Sequence, residues 1–408
     1  MSYTKIEKCL ACDGENLVPV LDLGNQPLAN SYTKSKDEEL PEFPLNINRC
    51  DNCSHVQLSV AVDPDLMFKD YLYVSGTSKT MIKHFEWFAK YTEEYYSLMN
   101  EKWTPLRVLD IGCNDGSQLD KYKDIGCITK GIDPAENLFV ESSKRHDITC
   151  GYFDKTTNQE LGTADIIIAQ NVFAHNYDPL AFMESVAEIM DDNSLFFVQT
   201  SQANMILNNE FDTIYHEHIS FYNIRSMDVL CIRAGLNLID VTKCPLHGTS
   251  YVFVISKNKD RPTNLQNLIE MEYNSGLYEP ETYVSYEKKC QDVVSELMKS
   301  VDWHRFAGYK IIGYGAAAKG NTLLNFSKIQ MDYIIDDNTL KHNYYTPGSK
   351  IEIVSIDILD QYTEEDKILF IPLAWNFFKE IKSNIKKKRN VPGDQFLLFF
   401  PEVKVSNE

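Results

Sequence analysis

Apolar residues run through the middle of the chain in short continuous stretches that finish on polar residues or glycine. V-L-D-I at 108–111, I-T-K-G-I-D at 128–133, the I-I-I-A-Q ending at 170 and L-F-F-V-Q-T at 195–200 read as buried strands. Residues 81–91 and 224–235 instead carry apolar positions at helical spacing, the second closed by Gly235. Further strands are predicted at 236–241 and 250–256. This alternation predicts one doubly wound α/β domain, whose site lies in the loops at the carboxyl ends of its strands. Residues 260–305 read as helices of mixed polarity. A second strand–glycine–helix unit then begins at Lys310, with strands at 333–337 and 367–372.

The first 62 residues lack such a pattern. They carry two C-x-x-C knuckles, Cys9 with Cys12 and Cys50 with Cys53, separated by a stretch rich in Pro, Asn and Gly. Four thiolates fill a tetrahedral zinc site, so the expected metal is structural Zn(2+) with no open catalytic position. His55 lies close by, but the cysteine set is already complete. Such a segment has little core of its own and needs a staple.

Composition narrows the class. The chain has 408 residues, 43% hydrophobic and 24% charged, so two or three domains with real cores are expected. Its net charge of −19 argues against a general nucleic-acid or anionic-membrane binder, whose phosphate contacts need basic surface. No run of 18 apolar residues suggests a membrane span, and no apolar leader precedes Cys9. Ten cysteines without a secretion signal suggest thiols, and a cytoplasmic protein is the expectation.

Several stretches carry candidate chemistry. R-V-L-D-I-G-C-N-D-G at 107–116 is a strand running into a glycine turn with Asp110, Gly112, Asn114 and Gly116. It resembles the first motif of Rossmann-like S-adenosylmethionine (SAM) methyltransferases. Asp133, followed by Pro134, ends the next strand, where a carboxylate accepts hydrogen bonds from two ribose hydroxyls. Asn171 and His175 follow the third strand. Thr77 or Ser78 can cap the helix at 81–91, and hydroxyls there also suit an anionic ligand such as a carboxylate. T-I-Y-H-E-H-I-S-F-Y at 213–222 packs Tyr215, His216, Glu217 and His218 together. A histidine is the usual general base near neutral pH, and either histidine, or a plain solvated loop, fits the stretch alone. K-I-I-G-Y-G-A-A-A-K-G-N-T at 310–322 turns at Gly313 and Gly315, then presents Lys319. It suits a phosphate or pyrophosphate, or is a structural glycine turn.

Taken in order, these motifs resemble the zinc-containing SAM-dependent C-methyltransferases that act on nucleotide-linked deoxysugars. The matching stretches are the two knuckles, Y-L-Y-V-S-G-T-S at 71–78, I-G-C-N-D-G at 111–116, Y-H-E-H at 215–218 and G-Y-G-A-A-A-K-G-N-T-L-L-N at 313–325. N-Y-Y-T-P-G at 343–348 and L-A-W-N at 373–376 match the family's tail. The resemblance implies a TDP-linked or other nucleotide-linked 4-keto-6-deoxysugar, methylated at carbon 3. It implies His218 as base with Glu217 and Tyr215 beside it, and Tyr73 and His175 as further active-site residues. Gly315, Ala316, Lys319, Asn321, Asp337, Pro347 and Gly348 are implied to hold the nucleotide sugar. One departure stands at 247–250, where H-G-T-S replaces the frequent H-G-G-S and leaves the local sugar pocket in question.

The expected organisation is a zinc-binding module at 1–66, a Rossmann-like SAM methyltransferase domain at 67–260 and a C-terminal α/β nucleotide-sugar-binding domain at 261–408. Its expected partners are SAM and a nucleotide-linked sugar, without nucleic acid or membrane; the oligomeric state is not written in the sequence, a monomer being favoured. Alternative readings are methylation at oxygen or nitrogen of a similar sugar, and a non-catalytic nucleotide-sugar-binding protein.

Overall fold

The structure, a computed structural model, describes residues 2–68, 74–77, 79–103, 105–244 and 250–406. Tyr73 and Ser78 lie outside the described residues, as does most of the 247–250 stretch. The chain divides into two compact units. Unit 1 comprises Met1–Val18, Asn48–Ala203 and Glu217–Tyr278; unit 2 comprises Pro19–Ile47, Asn204–His216 and Glu279–Glu408.

Unit 1 begins its main architecture with a helix, α1 (Lys79–Asn100), which extends well past the periodic residues 81–91. A 3-10 turn at Ser75–Thr77 precedes it. There follow β1 (Arg107–Ile111), α2 (Ser117–Asp124), β2 (Ile128–Asp133), β3 (Asp147–Cys150), β4 (Ile166–Gln170), α3 (Pro179–Ile189), β5 (Leu195–Thr200), α4 (Ile224–Arg233), β6 (Asn237–Cys244) and β7 (Ser250–Ser256). These strands make one seven-stranded sheet in the order β6-β7-β5-β4-β1-β2-β3. All neighbours are parallel except at β7, which runs antiparallel to both β5 and β6.

The period-2 alternation of strand side chains builds a core on each face of this sheet. Leu109, Ile167, Ala169, Phe196 and Val198 join one cluster. Val108, Ile166, Ile168, Leu195 and Phe197 join the other. Burying a Phe or Ile fully contributes about 1.5–3 kcal/mol, so a charge at Ile167 or Phe197 would break the layer it serves. Asn223 caps α4 through a reciprocal box with Ser226, and Gly235 at φ 72 ends the same segment.

Unit 2 contains α5 (Tyr286–Phe306), β8 (Lys310–Tyr314), α6 (Ala318–Ser327), β9 (Tyr333–Ile335), β10 (Ile353–Val354), β11 (Ile368–Pro372), α7 (Phe378–Lys388), β12 (Gln395–Leu398) and β13 (Lys404–Ser406). Its six-stranded sheet runs β10-β9-β8-β11-β12-β13, parallel except for the last strand. Ile312, Ile335, Phe370, Ile381 and Phe396 form its core.

The interknuckle stretch is more ordered than its Pro and Gly content suggests. It holds two strands, Leu17–Pro27 and Glu42–Cys50. In the second, Phe43, Leu45 and Ile47 alternate with more exposed residues and are buried.

Candidate functional site

Within unit 1 the four knuckle sulfurs converge. Cys9 Sγ lies 3.5 Å from Cys53 Sγ, and Cys12 Sγ lies 3.6 Å from Cys50 Sγ. All four lie within 4.8 Å of one another. A tetrahedron with Zn–S bonds of about 2.3 Å has sulfur–sulfur edges of ~3.8 Å, so the set fits one zinc. Arg233 donates to Ala11 O at 2.6 Å, and the side chain of Gln57 accepts from Leu10 N at 2.8 Å, fixing the first knuckle.

The glycine turn after β1 is shaped by close approach. At Gly112 the backbone has φ +76, and a Cβ would stand 2.2 Å from Val172 Cγ2. A side chain is therefore excluded there on both counts. Asp133, at the end of β2, accepts from Asn114 N and Ala135 N, each at 2.8 Å and each on a different carboxylate oxygen. Each oxygen keeps acceptor capacity for one ribose hydroxyl. Burial pushes the Asp133 carboxyl up, against the opposing pull of those two N–H groups. Asp110 is buried and pushed up by burial first, then by Asp133 and Asp115. Asn114 accepts from Ser75 N at 3.0 Å, closing the turn, while Gly116 at φ 79 opens α2. Pro134 falls inside the Asp133–Ala135 turn. Asn171, at φ 56 just past β4, donates its N–H to Gln199 O at 2.7 Å.

A second network at this edge was not read from the sequence. His84 Nε2 lies 2.7 Å from Gln199 Oε1 and 3.2 Å from Gln170 Oε1. Two carbonyl acceptors require a donor, so Nε2 carries the proton. Gln170 in turn donates to Gln118 in α2 at 2.7 Å. The glutamines at or next to the ends of two apolar strands were visible in the sequence, whereas their partner inside an amphipathic helix carried no signal of its own.

The histidines separate clearly. In unit 1, Ser201 Oγ lies 3.2 Å from His218 Nδ1. The His218 and His175 rings stack at 5.4 Å between centroids, and Phe68 stacks on the His175 ring, also at 5.4 Å. His175 ends the 3-10 turn Phe173–His175, and burial pushes its pKa down to about 4. Glu217 is buried. Ser201, just past β5, is a residue that the sequence reading missed; it lies 17 positions from His218 and belongs to no motif. The chain passes from unit 2 to unit 1 between His216 and Glu217. In unit 2, half-buried Tyr215 precedes His216, whose Nε2 lies 3.3 Å from Phe43 O. His216 Nδ1 is buried without a hydrogen-bond partner, and burial lowers the pKa of the ring to about 4.

The second glycine turn lies in unit 2 between β8 and α6. Gly315 has φ +92, and a Cβ there would meet Ala374 Cβ at 2.8 Å. Ala317, at the N-cap of α6, supplies no side-chain cap. The first-turn N–H groups of α6 therefore have no side-chain cap, and Lys319 lies in that same turn. Lys319 is buried, with Nζ 5.2 Å from the centre of the Trp375 ring. Trp375 Nε1 donates to Asp212 Oδ2 at 2.8 Å, and Thr322 Oγ1 donates to Ile214 O at 2.9 Å. Asp337 accepts from Tyr314 OH at 2.7 Å. Pro347 O accepts from Asn325 Nδ2 at 3.1 Å, and Gly348 turns at φ +72 beside the same Asn325.

Three family models match in tandem: a zinc binding domain over residues 9–68, a methyltransferase domain over 85–241 and a C-methyltransferase C-terminal domain over 245–401. With the knuckle cluster and the glycine turn after β1, they define a zinc-containing, SAM-dependent methyltransferase. The last of the three is the C-terminal domain of C-methyltransferases, and the three follow one another between residues 9 and 401. It is similar to C-methyltransferase NovU of Streptomyces niveus, 28% identical over 98% of this chain and 97% of that one. A ubiquinone biosynthesis O-methyltransferase of Parvibaculum lavamentivorans is 26% identical over 40% of this chain and 71% of its own. Among solved structures, the plantazolicin methyltransferase BpumL in complex with SAH covers 44% of this chain and 86% of its own, at 16% identity and a TM-score of 0.36. The described residues contain no helix long and apolar enough to cross a membrane.

Proposed function

We propose that this methyltransferase acts on carbon 3 of a nucleotide-linked 4-keto-6-deoxysugar, with His218 as the base; TDP is the carrier that the family resemblance implies. The observation that carries the reading is the pairing of His218 with Ser201. With Nδ1–H donating to Ser201 Oγ, Nε2 of the same ring is the basic nitrogen. His216, the competing base, has one nitrogen at the Phe43 carbonyl and the other buried.

A carbon nucleophile requires an acidified C–H, and a neighbouring ketone supplies one. His218 takes the proton from carbon 3, and the C–H electron pair becomes the enolate. The family resemblance gives Tyr215 the role of hydrogen-bond donor to the enolate oxygen. Bound SAM supplies an electrophilic methyl group on sulfonium. Its sulfur would take the S–CH3 electron pair as the enolate carbon gains the methyl, and His218 would keep the proton from carbon 3. Asp133 holds the cofactor ribose, and Asp110, Gly112, Asn114 and Gly116 shape the turn around it. The turn at Gly315 and the first residues of α6, with Lys319 and Asn321, take the diphosphate. The reading is tested by turnover of a TDP-linked 4-keto-6-deoxysugar and carbon NMR of the product. A new methyl carbon bonded to carbon supports it; a methyl on oxygen or nitrogen rejects it in favour of the alternative chemistry.

A further inference from the structure

The interknuckle excursion supplies a side chain to the glycine turn of unit 2. Ala316, in that turn, has both backbone polar groups held by side chains. Its N–H donates to Asp336 Oδ2 at 2.7 Å. Its carbonyl oxygen accepts from Tyr32 OH at 2.6 Å and from Lys341 Nζ at 2.7 Å. The three side chains also meet each other: Lys341 Nζ lies 3.9 Å from Asp336 Oδ2 and 5.1 Å from the centre of the Tyr32 ring. Asn30 Oδ1 lies farther from Tyr32 OH, at 3.3 Å, so of these two contacts the shorter one to Ala316 is the stronger.

This arrangement has a directional consequence. In a planar trans peptide the C=O and the following N–H point opposite ways. Two donors that fix the Ala316 carbonyl therefore also fix the Ala317 N–H, at the uncapped start of α6. Donation to a carbonyl polarises its peptide and strengthens the N–H as a donor. The same excursion reaches the first turns of α6, where Asn321 Nδ2 donates to Ala29 O at 2.6 Å. That contact leaves Asn321 Oδ1 buried without a partner.

We propose that Tyr32 is a positioning residue for diphosphate binding, acting with Lys341 through the Ala316 carbonyl. The proposal rests on the reading that this turn takes a nucleotide diphosphate. It gives the segment between the zinc knuckles a role in the substrate site, beyond closing the metal loop.

The test uses full-length, zinc-loaded protein, with TDP, UDP and SAM as calorimetric probes. Wild type, Tyr32→Phe, Lys341→Met and the double variant are compared. Tyr32→Phe keeps the ring and removes only the hydroxyl; it should weaken nucleoside diphosphate binding roughly 5–10-fold, as for loss of one hydrogen bond. SAM affinity and zinc content should stay at wild-type values. The double variant should lose less than the product of the two single effects, because both donors act through one carbonyl. Wild-type diphosphate affinity in Tyr32→Phe would overturn the proposal, as would equal weakening of SAM and diphosphate, which marks a mere strut. If wild type binds neither TDP nor UDP, the reading of the turn itself falls. Should Tyr32→Phe not fold, Lys341→Met against wild type reads the same carbonyl, and unchanged diphosphate affinity there overturns the proposal.

Discussion

Ser201 Oγ stands 3.2 Å from Nδ1 of His218, across 17 residues of chain. The contact fixes the orientation of the ring. Ser201→Ala should leave SAM binding intact and slow methyl transfer. The lost hydrogen bond contributes about 0.5–1.5 kcal/mol, so a rate reduced roughly 3–10-fold is expected from single-turnover kinetics. An unchanged rate would mean that His218 needs no such orientation, or is not the base.

Asp133→Ala should weaken SAM binding more than a substitution in the first glycine turn. Hydrogen bonds to a charged carboxylate are worth about 1.5–3 kcal/mol each, and the variant also releases the Ala135 and Asn114 N–H groups. At least a tenfold loss of affinity is expected by calorimetry. Wild-type affinity would mean that the ribose is held elsewhere.

The metal prediction concerns stoichiometry. Purified protein should contain close to one zinc per chain, and Cys50→Ser should lose it. Structural zinc sites couple metal binding to folding, so the variant should also unfold at lower temperature. A fully folded, equally stable protein without metal would contradict the structural role of the cluster.

Acid should destabilise the fold through two histidines whose protonation burial opposes, half-buried His175 and buried His216. His175 and His216 titrate near 4 in the folded chain, against an ordinary value of about 6.5. As the pH falls below ~6.5 the unfolded chain takes up protons that the native rings refuse until about pH 4. Each histidine therefore removes about 1.4 kcal/mol of stability per pH unit within that window. Asp110 and Asp212, whose carboxyls burial pushes up, act oppositely as they protonate in the native state. The histidine part is isolated by comparing wild type with His216→Gln, which keeps a donor for Phe43 O. The variant should show a shallower fall in unfolding temperature from pH 6.5 to 4.5; an identical fall would mean that His216 is not buried neutral.

Much of this was legible because local chemistry and fold agree. C-x-x-C pairs, strands ending in Asp133 or Asn171 and the turns at Gly112 and Gly315 each encode their geometry in a few adjacent residues. The role of residues 19–47 was harder to see. Proline at 19, 27 and 44 masks the strands, although the alternation of Phe43, Leu45 and Ile47 was a readable signal. Tyr32, Ser201 and His84 had no such signal. Their partners lie 284, 17 and 115 residues away, at Ala316, His218 and Gln199, so tertiary structure alone joins them.

The central claim is that His218 removes a proton from carbon before the methyl is transferred. It is tested most directly with a TDP-linked 4-keto-6-deoxysugar carrying deuterium at carbon 3, incubated with SAM and either wild type or His218→Asn. Wild type should give methylated product from which the deuterium is gone. His218→Asn should bind both ligands yet turn over ~10²–10⁴-fold more slowly, the usual cost of losing a general base. Methylated product that retains its deuterium at carbon 3, or a His218→Asn variant that turns over normally, would contradict the account.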